Sequence, residues 1–337
     1  MPQPENREQP HHPGATIEVP LEDGAYRGPR PPVSIVILTY NEEGNIADCI
    51  RSCAWSDDVH VLDSGSTDKT RQIAESLGCK VHVNPFKSFG EQRNWAIDNI
   101  PCKHPWHFHL DADERFTVGI VKEMLDTVGQ HGTGTDNACF LVPSKMILMG
   151  RWLKWSGGYP SYQVRLFRFG QCRFLDFGHG QREDPRGPTG TLAQPYHHYS
   201  FSKGLCEWLY KHNNYSCREA AEGLAALTHA RPTIGSLFKG DKVNRRRTFK
   251  NFAYFLRFRA LWRFFYNFIV RGGILDGVPG FHYCAMIAMY EYWIELKMKE
   301  KRQRWTEETN ALVVRMSRDN TTANTPGTAP LSAGGAA

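Results

Sequence analysis

The sequence predicts an α/β fold built on a mainly parallel sheet, and three observations carry that prediction. From Val33 to about Val142, short β-branched runs alternate with helix-like runs, the pattern left by successive βαβ units. Three strand-like runs, Val33 to Leu38, Val59 to Leu62 and Trp106 to Leu110, end in polar clusters, as expected where strand ends in an open sheet converge on a ligand. The 337 residues are 41% hydrophobic and 23% charged, enough apolar surface for one large domain with an appendage.

The elements follow in order. Val33 to Leu38 is the first strand, and Gly44 to Ile50 opens a helix with apolar residues at turn spacing. Val59 to Leu62 is the second strand, after which a helix runs from a cap at Asp68 to Leu77 and stops at Gly78. Lys80 to Val83 is a short third strand, Gly90 to Ile97 a helix, Trp106 to Leu110 the fourth strand and Cys139 to Val142 a fifth. Beyond Pro143 the chain is aromatic and turn-rich, with a strand at Gln163 to Arg168 and a helix from Lys203 to Ala226. Four segments are expected: a disordered lead over 1–32, a catalytic domain over 33–232, a helical basic and aromatic region over 233–304 that associates with a membrane, and a largely disordered tail over 305–337.

Composition excludes several classes. The lead has no apolar core of the signal-peptide kind, so export is not expected, and no run of about 18 uncharged apolar residues predicts a spanning helix. Nine scattered cysteines show no ribbon or finger spacing and fit reduced cytoplasmic thiols. The net charge of +6 is concentrated after Lys239, without an RNA or DNA motif, so no nucleic-acid partner is expected.

Asp111-Ala112-Asp113, directly after the fourth strand, is the sharpest motif, because two carboxylates at a strand end can hold a divalent metal against a diphosphate. The motif alone is common in solvated turns, and its position gives it weight. Asp63 and Asp68 could each cap the following helix; for Asp68 that is the preferred reading, whereas Asp63 is read as a ligand contact. Arg93 approaches the ligand or pairs with Glu91 or Asp98 on its helix. His107 and His109 share one face of their strand and are read as a packed pair.

Four motifs in order, Ser34-Ile-Val-Ile-Leu-Thr-Tyr-Asn-Glu-Glu43, Asp63-Ser-Gly-Ser-Thr-Asp-Lys-Thr70, Gln92-Arg93-Asn94 and Asp111-Ala-Asp-Glu114, resemble the inverting family 2 glycosyltransferases with the GT-A fold. Tyr162 to Arg168, Lys211 to Ser216 and Asp276 to Phe281 are similar to the branch that contains the lipopolysaccharide core β-1,4-glucosyltransferases. The resemblance spans about Val33 to Glu300. It implies a UDP-sugar donor bordered by Thr39, Tyr40, Asn41 and Glu42, read by Asp63, approached by Arg93 and Asn94, and faced by Asp111. Asp113, with Asp111, would ligate Mg²⁺ or Mn²⁺. Lys211 and His212 would serve the acceptor or phosphate side.

An inverting transfer also needs a base opposite the leaving group. The family places a carboxylate there, commonly following a His. In this chain Gly180 follows His179, and the base falls to Glu183 with Asp184 as its substitute. The Gln-x-x-Arg-Trp motif of processive synthases is missing from this region, which implies transfer of a single sugar.

Between Lys250 and Arg271, Phe255, Phe258, Trp262, Phe265 and Ile269 would line one helical face beside Arg259, Arg263, Asn267 and Arg271. Such a helix suits an anionic membrane surface; packing on the catalytic domain is the plainer alternative. The expected function is transfer of one hexose, glucose by resemblance, to a lipid-linked glycan or lipopolysaccharide core, in the cytoplasm at the inner face of the membrane. The rivals are a transferase making polyprenyl-phosphate sugars and a noncatalytic nucleotide-sugar-binding membrane scaffold.

Overall fold

The computed structural model describes residues 16–129, 135–177, 180–227, 258–303 and 311–312. The chain divides into two compact units, Met1–Arg218 with Ala260–Tyr290, and Glu219–Arg259 with Glu291–Ala337.

The first departure from expectation is at the start. Part of the segment read as a disordered lead pairs as an antiparallel hairpin of β1 (Ile17–Leu21) and β2 (Gly24–Gly28). Two contacts explain this: Tyr26 is fully buried in the main core, and Asp23 at the hairpin turn accepts a 2.9 Å hydrogen bond from the Val118 amide. A segment rich in Pro, Glu and Arg thus gains order from one aromatic anchor and one capping carboxylate.

The sheet begins with β3 (Val33–Thr39), whose residues from Val33 to Ile37 are all buried, the near-continuous apolar run of a strand covered on both faces. Then follow α1 (Ile46–Ser52), β4 (Val59–Asp63), α2 (Thr70–Ser76), β5 (Lys80–Val83), α3 (Phe89–Asn99) and β6 (Trp106–Asp111). Strands β5, β4, β3 and β6 pair in that order and all in parallel, as the βαβ reading predicts. Gly78, at φ +81°, takes the left-handed conformation after α2 that a side chain would resist. Ser88 accepts a hydrogen bond from the Glu91 amide and starts α3. The N-cap of α2 is Lys69, not the expected Asp68; Asp68, one residue earlier, accepts from the Thr70 amide at 3.0 Å and braces the first turn.

Beyond the acidic motif come β7 (Glu114–Arg115), α4 (Val118–Val128) and β8 (Cys139–Leu148), the last longer than the four residues expected. Strands β9 (Arg151–Trp152) and β10 (Ser161–Arg168) follow, and β10 inserts between β6 and β8, antiparallel to both. A second hairpin, β11 (Cys172–Phe177) with β12 (Gly180–Pro185), stands apart from the main sheet, and β13 (Thr189–Thr191) and β14 (Tyr196–His198) return to β8. The sheet is therefore parallel in its first half and mixed in its second.

Helix α5 (Gly204–Leu227) corresponds to the helix expected from Lys203. Then α6 (Arg259–Phe265) passes into a π-helical turn over Tyr266–Val270 and a 3₁₀ turn over Gly273–Asp276, before α7 (Gly277–Gln303). Phe255 lies outside the described residues; Trp262, Phe265 and Ile269 are exposed as the helical face predicted, whereas Asn267 is buried, not solvated beside the arginines. Among the described residues no helix is long and apolar enough to cross a membrane.

Candidate active site

The strand ends β3, β4 and β6 converge as predicted, and their polar loops interlock. Asn41, at φ +52°, donates its amide to Ser66 Oγ at 2.8 Å and accepts from the Thr67 amide through Oδ1 at 2.8 Å. Asp63 is fully buried and folds its own loop: Oδ1 accepts from the Gly65 and Ser66 amides at 3.0 and 2.8 Å, and Ser66 Oγ donates to Oδ2. Both oxygens of the expected ligand contact are thus engaged in shaping the loop. Tyr40 is 55% exposed at the rim, a ring free to stack, while Thr39 is buried with its hydroxyl lacking a protein partner. Glu42 pairs with Lys203 at 2.6 Å and accepts from Asn45 at 2.7 Å; burial raises its pKa against the pull of Lys203.

The acidic motif splits into two roles. Asp111 lies between two guanidinium groups: Arg93 Nη2 at 2.7 Å from Oδ1 and Arg165 Nη2 at 2.8 Å from Oδ2. Burial works to raise its pKa, but the two arginines hold it well below the ordinary carboxylate range. Arg165 also lies 2.6 Å from Glu114 Oε1, and Glu114 Oε2 accepts the Asp111 amide at 2.8 Å. Burial pushes Glu114 up to about 7.

The register shift between Val164 and Leu166 explains how an arginine reaches this position. The bulge leaves Arg165 out of the β10–β8 pairing and re-aims its side chain.

Asp113 faces His198 instead, with Nε2 3.5 Å from Oδ2. Burial opposes ionisation of both, but the contact wins, lowering Asp113 and raising His198 to about 9. The carboxylate oxygen of Asp113, with Asp111 beside it, suits Mg²⁺ or Mn²⁺, and His198 would add a ring nitrogen only once a bound ion had displaced its proton. Because both Asp111 oxygens carry guanidinium contacts, Asp113 is the better placed of the two predicted ligands. The position of His198 next to the acidic turn becomes visible once β14 pairs with β7 across His198 and Glu114.

Other expected residues are distributed as follows. Arg93 does not pair with Glu91 or Asp98; it is 3% exposed, bonds Asp111 and Gln181 Oε1, and leaves Nη1 buried with no hydrogen-bond partner. A buried donor of this kind is costly unless a ligand satisfies it. Asn94 is not brought to the site, because its amide is spent on the Phe174 backbone, accepting at 3.0 Å and donating at 2.8 Å. Glu183 and Asp184 sit on β12, opposite Phe174 and Arg173. Gln181, two residues earlier and hence on the same strand face as Glu183, is the side chain that touches Arg93. No sequence signal singled out Gln181.

Lys211 and His212 line a cavity of about 310 Å³ together with Asp113, His198, Glu42 and Trp208. His212 stacks on Trp208 with ring centroids 3.5 Å apart, and its Nδ1 lies 2.8 Å from the Trp208 carbonyl. An acidic centre thus opens onto a cavity with a cation and an aromatic platform, a combination suited to a phosphorylated sugar and its acceptor.

Residues 34–174 match the glycosyl transferase family 2 model. The chain carries a family 2 glycosyltransferase domain. It is 41% identical to an uncharacterized glycosyltransferase of Rickettsia bellii over 97 residues, 28% of this chain and 31% of that one. A longer match, 26% identical over 288 residues, covers 80% of this chain and 90% of an uncharacterized glycosyltransferase of Rickettsia conorii. The lipopolysaccharide core biosynthesis glycosyltransferase LpsC of Rhizobium meliloti is 33% identical over 102 residues, covering 29% of this chain and 37% of its own. The chain therefore spans about a third of two of these relatives and most of the other. Among solved structures, glucosyl-3-phosphoglycerate synthase from Mycobacterium tuberculosis, in complex with Mn²⁺ and UDP-glucose, overlaps 34% of this chain and 43% of its own at 25% identity and a TM-score of 0.28.

Proposed function

We propose that this glycosyltransferase moves a single hexose, glucose by resemblance, from a UDP-sugar to a hydroxyl of a lipid-linked glycan or lipopolysaccharide core, with inversion, at an anionic membrane surface on the cytoplasmic side. The observation that carries the reading is the division of labour at the acidic motif: Asp111 fixed by Arg93 and Arg165, Asp113 left facing His198 at the mouth of the cavity.

Asp113, with His198 and Asp111 beside it, would hold Mg²⁺ or Mn²⁺, which when bound offsets the negative charge of the departing diphosphate. Arg93 supplies its unpartnered Nη1 to donor oxygens and keeps Asp111 oriented. The Tyr40 ring stacks the base at the rim. Lys211 and the His212–Trp208 stack form the wall against which phosphate or acceptor sugar rests. Glu183 on β12 takes the proton from the attacking hydroxyl, with Asp184 as its alternative.

The test is a donor panel with Mn²⁺ and extracted membrane glycolipids, reading which labelled sugar becomes lipid-associated. Glu183→Gln should abolish transfer while sparing UDP binding, and Asp184→Asn should not. Full activity in the double variant would give the site to a phosphate nucleophile, as in a polyprenyl-phosphate sugar transferase. Tight UDP binding without turnover of any common donor would leave only the scaffold.

A further inference from the structure

The C-terminal part of the first unit presents a surface that catalysis does not use. Between Leu261 and Val278 the chain turns one side inward: Phe264 and Phe268 pack on Phe281, with ring centroids 5.9 and 5.8 Å away, and Asn267 is buried. The other side carries Trp262, Phe265, Ile269, Val270 and Leu275, each more than half exposed and Val270 73% so. A soluble surface seldom leaves so many large apolar side chains together.

The surface does not end with the helix. A Cβ placed on Gly272 would lie 3.5 Å from Leu275 Cδ1 and 3.6 Å from the Trp155 ring, so the aromatic loop after β9 adjoins the turn after α6. Asp276 fastens the two together. Its buried carboxylate accepts from the Trp155 amide at 3.1 Å, the Ser156 amide at 2.7 Å and Ser156 Oγ at 2.6 Å. The close approach of Gly280 to the Gly273 carbonyl, where a Cβ would lie at 2.3 Å, seats the turn against the start of α7. The Asp276-Gly-Val-Pro-Gly-Phe281 motif therefore ties the Trp155 loop to the turn after α6.

The charge pattern selects the occupant. Residues 260–275 include Arg263 and Arg271 and no acidic residue, and 145–155 include Lys145, Arg151 and Lys154, again with no acid. Arg151 lies against the turn, its Nη2 3.5 Å from the Leu275 carbonyl, and Lys154 sits over the Trp155 ring at 5.1 Å. A second copy of the chain would bring these cations against their own kind. An anionic bilayer meets both demands at once, taking aromatic and aliphatic tips at the headgroup boundary and cations on lipid phosphates.

We infer that this glycosyltransferase docks on anionic membranes through a two-part face, the Trp155 loop and the 261–278 segment, locked together by Asp276. The inference deepens the membrane-surface reading above, by naming its contact residues, and rests on it.

The test is co-sedimentation of the full chain with vesicles of phosphatidylcholine, with and without phosphatidylglycerol, in the absence of donor and acceptor. Binding should require the anionic lipid. Trp155→Glu and Leu275→Glu should each weaken it about tenfold or more, since each replaces a buried apolar contact by a charge at the interface. Leu77→Glu, an exposed apolar site at the end of α2, should leave it unchanged. Circular dichroism and retained Mn²⁺ binding control for folding, and Arg151→Glu with Lys154→Glu should weaken binding without touching the apolar tips.

Vesicle binding that survives Trp155→Glu would confine the contact to the helix and overturn the two-part face. A wild-type dimer that ignores vesicles and that Leu275→Glu turns into a monomer would give the face to a second copy. Because vesicle binding and sugar transfer are read separately, failure of the face would remove the membrane-surface part of the reading above and leave the transfer reaction standing.

Discussion

Arg165 bridges Asp111 and Glu114, its Nη2 2.8 Å from one carboxylate and 2.6 Å from the other. Its side chain is 3% exposed and that of Glu114 fully buried, so Glu114 relies on it in place of water, while Asp111, 36% exposed, keeps Arg93 as a second partner. Arg165→Ala should destabilise the protein by about 3–5 kcal/mol, the cost of leaving a buried charge without its partner. Urea unfolding reads this directly. Loss of activity at unchanged stability would show that Arg165 does not hold the pair together.

Metal affinity should separate the two aspartates. Asp113→Asn should weaken Mn²⁺ binding by more than the roughly 10- to 100-fold typical of outer-partner losses, whereas Asp111→Asn should weaken it less, its oxygens already being engaged by arginines. Electron paramagnetic resonance of free Mn²⁺ gives both constants without substrate. Equal losses in the two variants would overturn the division of roles.

His107 should contribute a loss of stability on mild acidification. The ring is 1% exposed between Phe167 and Phe169, and burial lowers its pKa to about 4. Unfolded, it titrates near 6.5, so between those values the unfolded chain binds a proton that the native one does not. The contribution is complete above about pH 6.5 and is lost as pH falls toward 4, at about 1.4 kcal/mol per pH unit for one such group. Glu114, raised to about 7, acts in the opposite sense and His109 in the same sense over this window. The His107 share is therefore read as the difference between the wild-type and His107→Phe urea midpoints, which should widen as pH rises from about 4 to 6.5.

Gly280→Ala should strain the C-terminal turn, since its new methyl would lie 2.3 Å from the Gly273 carbonyl and 2.6 Å from Asp276 Cβ. A cost of about 1–3 kcal/mol is expected for such overpacking, read as a lowered Tm. Trp155 fluorescence should change with it, because Asp276 carries the displacement to the aromatic loop. An unaltered Tm would show that the turn gives way freely.

The first half of the fold was legible because its physics is local. Strands covered on both faces write continuous apolar runs, as in Val33 to Leu38, and the acidic motif directly follows one of them. What stayed hidden depends on register. Arg165 stood in sequence as one charge inside an apolar strand, between Val164 and Leu166; only the bulge turns it toward Asp111. An arginine in that setting is itself a signal that it has a buried partner. Asp63 and Asn94 were expected at the ligand because their motifs border it, yet their side chains serve the backbone of the loop and of the β11 hairpin. His198 and Gln181 come to the site only through strand pairing across long stretches of chain.

The hairpin at the beginning of the chain reaches further than its own two strands. Glu22, at its tip, receives the Tyr199 hydroxyl and meets His197 Nδ1 at 3.2 Å, gripping the residues on either side of His198. A clip far upstream in sequence thus steadies the imidazole that faces Asp113, so trimming or tagging the leading thirty or so residues would loosen that ring while leaving every motif of the domain intact.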